Sequence, residues 1–153
     1  MIKICFVCHG NICRSPMAEF IFKAIVKRNG AESDFYIESR ATHTDEIWNE
    51  TGSRIYPPAQ KIMSEKHIPF DYEKRAKLLK QNDYEHFDYF IGMDKENLRF
   101  MQRILKNDGK IHLLLDFAGG GNVSDPWYSG DFETAFSDIY RGCEALWKAL
   151  QNE

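Results

Sequence analysis

Apolar positions change their period from one segment of the chain to the next. Residues 2–7 form a short apolar run of strand length, and residues 17–25 then carry apolar side chains at the i, i+3, i+4, i+7 spacing of one helix face. Ser15-Pro16 is a suitable helix start, because proline is tolerated in a first helical turn, and Gly30 lies just beyond the end. The sequence therefore predicts a strand, a loop from Cys8 to Arg14 and a helix.

Alternation of this kind continues along the chain. Two further helices are predicted at 59–66 and 95–105, with a connecting region at 79–85, and three further strands at 35–37, 89–93 and 111–114. The clearest element is the last helix, whose apolar side chains keep to one face from 132 to 150. Strands that alternate with helices predict an α/β fold, with a parallel sheet covered by helices on both faces.

The composition fits a single domain across residues 1–153. Of these residues 43% are hydrophobic, the formal net charge is −3 and the pI is near 6.0. A nucleic-acid-binding protein would have a basic footprint, so we expect no nucleic-acid partner. The sequence does contain one basic cluster, which we interpret as a solvated helix face, at Lys74, Arg75, Lys77 and Lys80.

Several features indicate a cytoplasmic protein. No apolar run reaches the length of about 18 residues that a transmembrane helix needs, so no membrane association is expected. The first strand follows Met1 directly, without the basic start and long apolar stretch of a signal peptide. Four cysteines suit a reducing compartment better than a disulfide framework. Cys5 and Cys8 form a C-x-x-C pair, but no second Cys or His pair has zinc-site spacing, and no metal is expected.

The loop between the first strand and helix carries the most specific chemistry. Backbone N–H groups at a helix N-terminus converge on an anion, and the same field stabilises a thiolate at Cys8. Arg14 can hold two oxyanion oxygens with its planar guanidinium. Ser15 can donate its hydroxyl to the sulfur, and Asn11 can brace the loop. The C-x5-R spacing by itself is weak evidence and favours a structural cysteine and a surface arginine; the surrounding residues reverse that preference.

A second candidate group lies near the C-terminal helix. The Asp125-Pro126 dipeptide is typical of a turn, but it is followed at once by Trp127 and Tyr128. Thiolate attack on a phosphate monoester expels an alkoxide or phenoxide, and protonation of that oxygen accelerates the reaction by about 10²–10⁴. Asp125 is therefore a candidate general acid.

Together these elements resemble a known enzyme family. Residues 8–19, with their Cys-x-Gly-Asn-Ile-Cys-Arg-Ser-Pro-Met-Ala-Glu pattern, resemble the signature loop of the low-molecular-weight protein tyrosine phosphatases. Residues 125–130 are similar to that family's general-acid loop, and residues 87–94 to its central strand. The resemblance implies a three-layer sandwich of flavodoxin-like or Rossmann-like type with a central four-stranded parallel sheet. It also implies a hydrolase of protein-tyrosine-phosphatase or acid-phosphatase type, with no cofactor.

The same resemblance assigns roles to individual residues. Cys8 would form a phosphocysteine, Arg14 would bind phosphate, and Asp125 would act as acid and then as base. Cys13 would be a redox partner of Cys8. Further substrate-binding residues are expected in the loop, at His9, Gly10, Asn11, Ile12, Cys13 and Ser15. Aromatic walls of the cleft are expected at Trp127, Tyr128 and Trp48, although Trp48 fits a packing role equally well.

The expected substrates are phosphotyrosyl proteins or small aryl phosphates, with inorganic phosphate as product and a monomer or weak dimer as the active form. Protein-arginine phosphatase is an alternative, but the branch of the family that acts on phosphoarginine has Thr where this chain has Ile12, and the apolar residue favours an aryl phosphate. Arsenate reductase of the same fold is another, but it needs two further relay cysteines and none lies between positions 14 and 142. A phosphate-binding module without turnover would lack the nucleophile or the acid.

Two departures from the family pattern concern the loop and its surroundings. His9 stands where the family usually has an aliphatic residue, and a protonated His9 would attract an acidic peptide. Residues 39–42 read Ser-Arg-Ala-Thr instead of Ser-Ala-Gly-Thr, and the sequence offers no explanation of Arg40. The Gly119–Gly121 run before Asp125 is interpreted as a flexible gating loop or, equally, a simple surface loop.

Overall fold

A computed structural model describes residues 1–152 and contains two sheets and five α-helices. The strands are β1 Ile2–Cys8, β2 Phe35–Ala41, β3 Ile47–Trp48, β4 Thr51–Gly52, β5 Tyr89–Gly92 and β6 Ile111–Leu113. The helices are α1 Arg14–Arg28, α2 Pro57–Glu65, α3 Lys95–Leu105, α4 Pro126–Ser129 and α5 Phe132–Gln151. Short 3₁₀ helices occupy Glu32–Asp34, Gln81–His86 and Leu114–Ala118.

The main sheet has four parallel strands in the order β2-β1-β5-β6, which confirms the predicted sheet. β1 lies inside the sheet and is buried from Ile4 to Cys8, as expected for a parallel strand covered on both faces. Cys8 pairs with Ala41 of β2, and Val7 pairs with Gly92 of β5. The carboxyl ends of these three strands therefore meet at one edge, where open α/β sheets bind their ligands.

Helices cover both faces of this sheet. The larger apolar cluster joins Ile4 and Phe6 of β1 to side chains of α1, α2 and α5. The smaller one joins Cys5 and Val7 of β1 to α3 and the neighbouring 3₁₀ segment. Alternate residues of one strand thus face opposite layers. The predicted three-layer sandwich is confirmed, and no helix among residues 1–152 has the length and apolar character needed to cross a membrane.

The structure differs from the predicted elements mainly between residues 35 and 56. β2 continues to Ala41, because Ser39, Arg40 and Ala41 pair with Phe6, Val7 and Cys8 of β1. The buried Ser39 hydroxyl donates to Glu19 at 2.6 Å. The Arg40 guanidinium lies 2.6 Å from the Glu38 carboxylate and over the Phe87 ring. These contacts explain why an arginine can occupy this buried position. The β3–β4 hairpin is too short to give an alternating pattern. A Cβ atom at Gly52 would lie 1.9 Å from the Ala76 carbonyl, so only glycine permits this close approach.

Candidate active site

A cleft opens at the carboxyl edge of the sheet between two loops. The cysteine loop, residues Cys8–Ser15, connects β1 to α1, and the aspartate loop, residues 124–131, contains α4. Many of the predicted site residues line this cleft, namely positions 8–10 and 12–14, Asp125, Trp127 and Tyr128. The structure therefore brings the two sequence motifs to one place.

The sulfur of Cys8 lies at the bottom of this cleft and has polar neighbours. Cys8 is only 3% exposed, and its Sγ lies 3.0 Å from Ser15 Oγ and 3.4 Å from the Ser15 backbone nitrogen. Asn11 Nδ2 donates to Ser15 Oγ at 2.8 Å, which leaves the hydroxyl hydrogen of Ser15 for the sulfur. These donors stabilise a negative charge on Cys8.

Asn11 holds the shape of the cysteine loop from beneath. It is 1% exposed and has a left-handed backbone with φ 59°, a conformation that Asn tolerates better than most residues. Its amide nitrogen also donates to Ser39 Oγ at 2.9 Å. Its amide oxygen accepts from Lys74 Nζ at 2.8 Å and from the Lys77 backbone nitrogen at 3.1 Å. Every polar atom of the Asn11 side chain is therefore engaged.

This contact corrects the interpretation of the basic cluster as a solvated helix face. Residues 74–80 are not helical, and Lys74 points inward to Asn11 and to the carbonyl of Arg75. Burial lowers the pKa of Lys74. Sequence reasoning missed this residue because its charge pattern resembled that of an exposed surface.

Arg14 is fixed by groups from two other loops. Its Nη1 donates to Asp94 Oδ2 at 2.7 Å and to the Val123 carbonyl at 2.9 Å, while Nη2 lies 3.4 Å from Asp125 Oδ2. Burial acts to lower the pKa of Arg14, but the charges of Cys8, Asp94 and Asp125 outweigh it, and the pKa is raised. The guanidinium is therefore a permanent cation in a fixed orientation.

Asp94 was not predicted as a site residue. It caps α3, since its side chain accepts from the Asn97 backbone nitrogen at 2.8 Å and Asn97 bonds back to the Asp94 backbone. An Asp followed by Asn three positions later, directly after a buried strand, was a detectable cap signal. That signal indicates a helix start, and only the fold reveals that the same carboxylate also holds Arg14.

The sequence allowed two interpretations of Asp125, a turn residue or a general acid, and its position is compatible with both. It caps α4, because its Oδ1 accepts from the Trp127 backbone nitrogen at 3.0 Å. Its Oδ2 faces Arg14, and its side chain is 26% exposed at the mouth of the cleft. The turn geometry thus presents one carboxyl oxygen to the cleft.

The aromatic residues divide into two groups. Trp127 and Tyr128 are 53% and 85% exposed and line the cleft. Trp48 lies on the β3–β4 hairpin, is 60% exposed and lines a separate shallow groove with Arg54 and Arg75. In contrast to the prediction, the structure does not place Trp48 among the residues that line the cleft of the cysteine loop.

His9 lies at the rim, where the structure pairs it with acidic groups. Its Nε2 lies 2.7 Å from Asp45 Oδ2, and its ring stacks on His43 at 3.9 Å. The hydrogen bond from His9 lowers the pKa of Asp45. Asp45 and Glu46 both line the cleft and were not predicted. The expectation that His9 attracts an acidic peptide is not supported, since its Nε2 is already paired with Asp45.

The four cysteines are free thiols in this structure. Cys13 lines the same cleft as Cys8, and burial together with the neighbouring Cys8 raises its pKa. Cys5 and Cys143 are fully buried in separate apolar clusters on opposite faces of the sheet. Within residues 1–152 no group of three or more His, Cys, Asp or Glu side chains is placed to hold a metal ion.

Comparison with known proteins gives consistent matches over the whole chain. A family model described as low molecular weight phosphotyrosine protein phosphatase matches residues 3–153. The chain is 37% identical to the low molecular weight protein-tyrosine-phosphatase YfkJ of Bacillus subtilis, over 100% of this chain and 98% of that protein. It is 38% identical to the low molecular weight protein-tyrosine-phosphatase PtpA of Staphylococcus epidermidis, over 95% of this chain and 92% of that protein.

Solved structures give the same result. The crystal structure of YfkJ from Bacillus subtilis superposes with a TM-score of 0.90 at 36% identity, covering 99% of this chain and 96% of that chain. SP-PTP, a low molecular weight protein tyrosine phosphatase from Streptococcus pyogenes, superposes with a TM-score of 0.87 at 39% identity, covering 98% and 93%.

Proposed function

This chain belongs to the low molecular weight phosphotyrosine protein phosphatase family, and we propose that its nucleophile is Cys8 and its general acid and base is Asp125. Its activity is that of a protein-tyrosine phosphatase. The observation that carries the proposal is the convergence of Cys8, Arg14 and Asp125 on one cleft, with the Asp125 carboxyl 3.4 Å from the Arg14 guanidinium.

In the first half-reaction the Cys8 thiolate attacks the phosphorus of an aryl phosphate. The sulfur–phosphorus bond forms as the bond to the phenolic oxygen breaks, and Asp125 gives its proton to that oxygen. Arg14 and the backbone N–H groups of the cysteine loop hold the nonbridging oxygens. This step needs Asp125 in its protonated form.

In the second half-reaction water hydrolyses the phosphocysteine. The Asp125 carboxylate accepts a proton from the water, whose oxygen attacks phosphorus, and the sulfur leaves as a thiolate. The Ser15 hydroxyl, oriented by Asn11, donates to the departing sulfur. Inorganic phosphate is released, and both groups return to their starting protonation states.

The walls of the cleft favour an aryl substrate. Trp127 and Tyr128 present aromatic surface above the loop, and Ile12 gives an apolar wall beside them. A flat phenyl ring fits between such walls, whereas the shorter stem of phosphoserine gains little from them. We therefore propose phosphotyrosyl proteins and small aryl phosphates as substrates. Phosphoarginine is the alternative substrate, and Ile12 argues against it.

Arsenate reduction is a poor alternative for this chain. Such a reductase passes a disulfide from the first thiol to further cysteines. Cys5 and Cys143 are fully buried, and burial raises the pKa of both thiols, so neither suits a relay that needs an exposed thiolate. Only Cys13 shares the cleft with Cys8.

The test uses an aryl phosphate assay with EDTA present. We expect Cys8→Ser to abolish turnover and Asp125→Ala to slow it by about 10²–10³ for substrates with poor leaving groups, and by less for good ones. Phosphoserine, phosphoarginine and arsenate are assayed beside phosphotyrosine. Substantial activity of Cys8→Ser, or a preference for phosphoarginine, would contradict the proposal.

Redox control through Cys13 is a further part of the proposal. Peroxide oxidises the Cys8 thiolate to a sulfenic acid, and the Cys13 thiol then displaces water to form a disulfide. Both sulfurs line one cleft. Activity lost to peroxide should return fully with a thiol reductant in the natural protein and only partly in Cys13→Ser. Equal recovery of the two proteins would count against this role.

We also propose that the protein works in the cytoplasm as a monomer or weak dimer. Four free thiols are suited to a reducing compartment. Light scattering over a range of protein concentrations would measure the oligomeric state, and a stable dimer at low concentration would contradict it.

A further inference from the structure

Tyr56 connects the two loops of the cleft without lining the cleft itself. Its backbone nitrogen donates to the Ile12 carbonyl of the cysteine loop at 2.8 Å. Its ring lies 4.9 Å from the Trp127 ring of the aspartate loop, tilted by 49°, and 6.0 Å from the Phe132 ring at the start of α5. It is absent from the residues that form the cleft walls.

The aspartate loop has few other attachments to the rest of the molecule. Three consecutive glycines with positive φ, Gly119–Gly121, precede it. Within residues 124–131 only Pro126 is buried. Of the two groups that contact the Asp125 carboxyl, Arg14 is at the long distance of 3.4 Å, and the Trp127 nitrogen belongs to the loop itself. The end of the loop is fixed by Asp131, whose side chain accepts from the Thr134 nitrogen of α5 at 2.9 Å. Around Asp125, besides the buried Pro126, the tilted ring pair of Tyr56 and Trp127 is therefore a main contact with the body of the protein.

We infer that the Tyr56 ring is a positioning residue that sets the place of the Asp125 carboxyl by supporting Trp127. The Trp127 backbone nitrogen holds Asp125 Oδ1 at 3.0 Å, so a shift of Trp127 carries the carboxyl with it. A displacement of about 1 Å can cost a large factor in rate, because proton transfer needs the acid within hydrogen-bond reach of the leaving oxygen. This inference rests on the proposed role of Asp125.

The backbone and the side chain of Tyr56 can be tested separately. Any residue except proline keeps the N–H bond to Ile12, so a substitution leaves the backbone contact in place and changes only what the ring touches. The ring packs against Trp127, against Phe132 and against the apolar cluster of Ile12, Cys13 and Ala76, and inhibition by phosphate reports on that last contact. Among the described residues the Tyr56 hydroxyl has no hydrogen-bond partner, so Tyr56→Phe retains the relevant ring. Tyr56→Leu removes the ring and keeps apolar bulk. Should Tyr56→Leu fail to fold, Tyr56→Met replaces it.

The measurement is kcat/KM on two substrates that differ in the leaving group. Phenyl phosphate releases a basic phenoxide that needs the acid, whereas p-nitrophenyl phosphate releases a much less basic one. Inhibition by inorganic phosphate reports separately on the cysteine loop. Tyr140→Leu is the matched control, because Tyr140 is also half-buried against a phenylalanine ring but lies on α5 outside the cleft.

We expect Tyr56→Leu to lower kcat/KM for phenyl phosphate by about tenfold and for p-nitrophenyl phosphate by less than about threefold. Phosphate inhibition should stay unchanged, Tyr56→Phe should restore both rates, and Tyr140→Leu should leave their ratio unchanged. An equal loss on both substrates, weaker phosphate inhibition, or no loss at all would overturn the inference.

Asp125→Asn separates a failure of this inference from a failure of the proposed function. If Asp125→Asn loses no more activity on phenyl phosphate than on p-nitrophenyl phosphate, Asp125 is not the acid and the proposed function fails. If Asp125→Asn has that selective loss and Tyr56→Leu does not, only the inference fails. In the double variant, Tyr56→Leu should cause no additional selective loss, because the acid it positions is already absent.

Discussion

The cysteine loop and the aspartate loop share one cleft but are held in different ways. In the cysteine loop Asn11, Arg14 and Ser15 are almost completely buried, and each has several hydrogen-bond partners. The aspartate loop is mostly exposed and follows three glycines with positive φ. The proposed nucleophile and anion site are therefore preorganised, whereas the position of the proposed acid depends on few contacts. This difference predicts that the two loops respond differently to substitution.

Arg14→Lys should give the largest effect on activity. Lysine cannot hold two phosphate oxygens in one plane, and it also leaves Asp94 and the Val123 carbonyl without their shared partner. We expect kcat/KM to fall by about 10³ for good and poor leaving groups alike, since phosphate binding serves every substrate. Steady-state kinetics on both substrate types measure this. A loss restricted to substrates with poor leaving groups would contradict the role of Arg14 in phosphate binding, because such a loss is expected for the acid.

Asn11→Ala should reveal the same contrast in stability. The substitution removes one hydrogen-bond partner from each of Ser15, Ser39 and Lys74 and places Ala at φ 59°, so we expect a loss of about 3 kcal/mol in the free energy of unfolding. Asn11→Gly should lose about 1 kcal/mol less, because glycine accepts the left-handed backbone.

The matched variant in the aspartate loop is Tyr128→Ala. Tyr128 is 85% exposed, and its removal should change the free energy of unfolding by less than about 0.5 kcal/mol. Urea denaturation of the three variants gives the comparison. Similar losses for Asn11→Ala and Tyr128→Ala would show that the loops are equally well anchored.

The smallest expected effect concerns pH and the rim of the cysteine loop. Burial, and then the stacked ring of His9, lower the pKa of His43 below its ordinary value of 6.5. As pH falls below about 6.5, the unfolded chain gains a proton at His43 before the folded protein does. The contribution of His43 to the free energy of unfolding is thus at its full value above about pH 6.5 and becomes smaller as the pH falls below that value.

Urea midpoints measured between pH 8 and pH 5 would detect this dependence. The decrease of the midpoint with falling pH should be smaller in His43→Gln. The pKa of Asp45 is also lowered, but its ordinary value of 3.8 places its effect at a more acidic pH, outside this range. If the urea midpoint of His43→Gln depends on pH as that of the natural protein does, His43 is not the cause of the dependence.

The sequence predicted the fold and the candidate site to different extents. The main strands and helices followed from apolar periods, since burial of one face imposes them locally. Local patterns missed the β3–β4 hairpin, because two-residue strands have no period. They also misplaced Trp48 and treated Lys74 as exposed, because neither the direction of a hairpin nor an inward-pointing lysine can be recognised from neighbouring residues.

By itself the sequence determined that a thiol, an arginine and a helix start lie together in one continuous segment, which is the basis of the chemistry proposed for the cysteine loop. It also indicated Asp125 as the proposed acid through a second local motif. Only the tertiary structure decided that Asp94 holds Arg14, that Lys74 holds Asn11, and that Tyr56 lies against the aspartate loop. Each of these contacts joins residues far apart in the chain, which meet because the order of the parallel strands brings their carboxyl ends to one edge of the sheet.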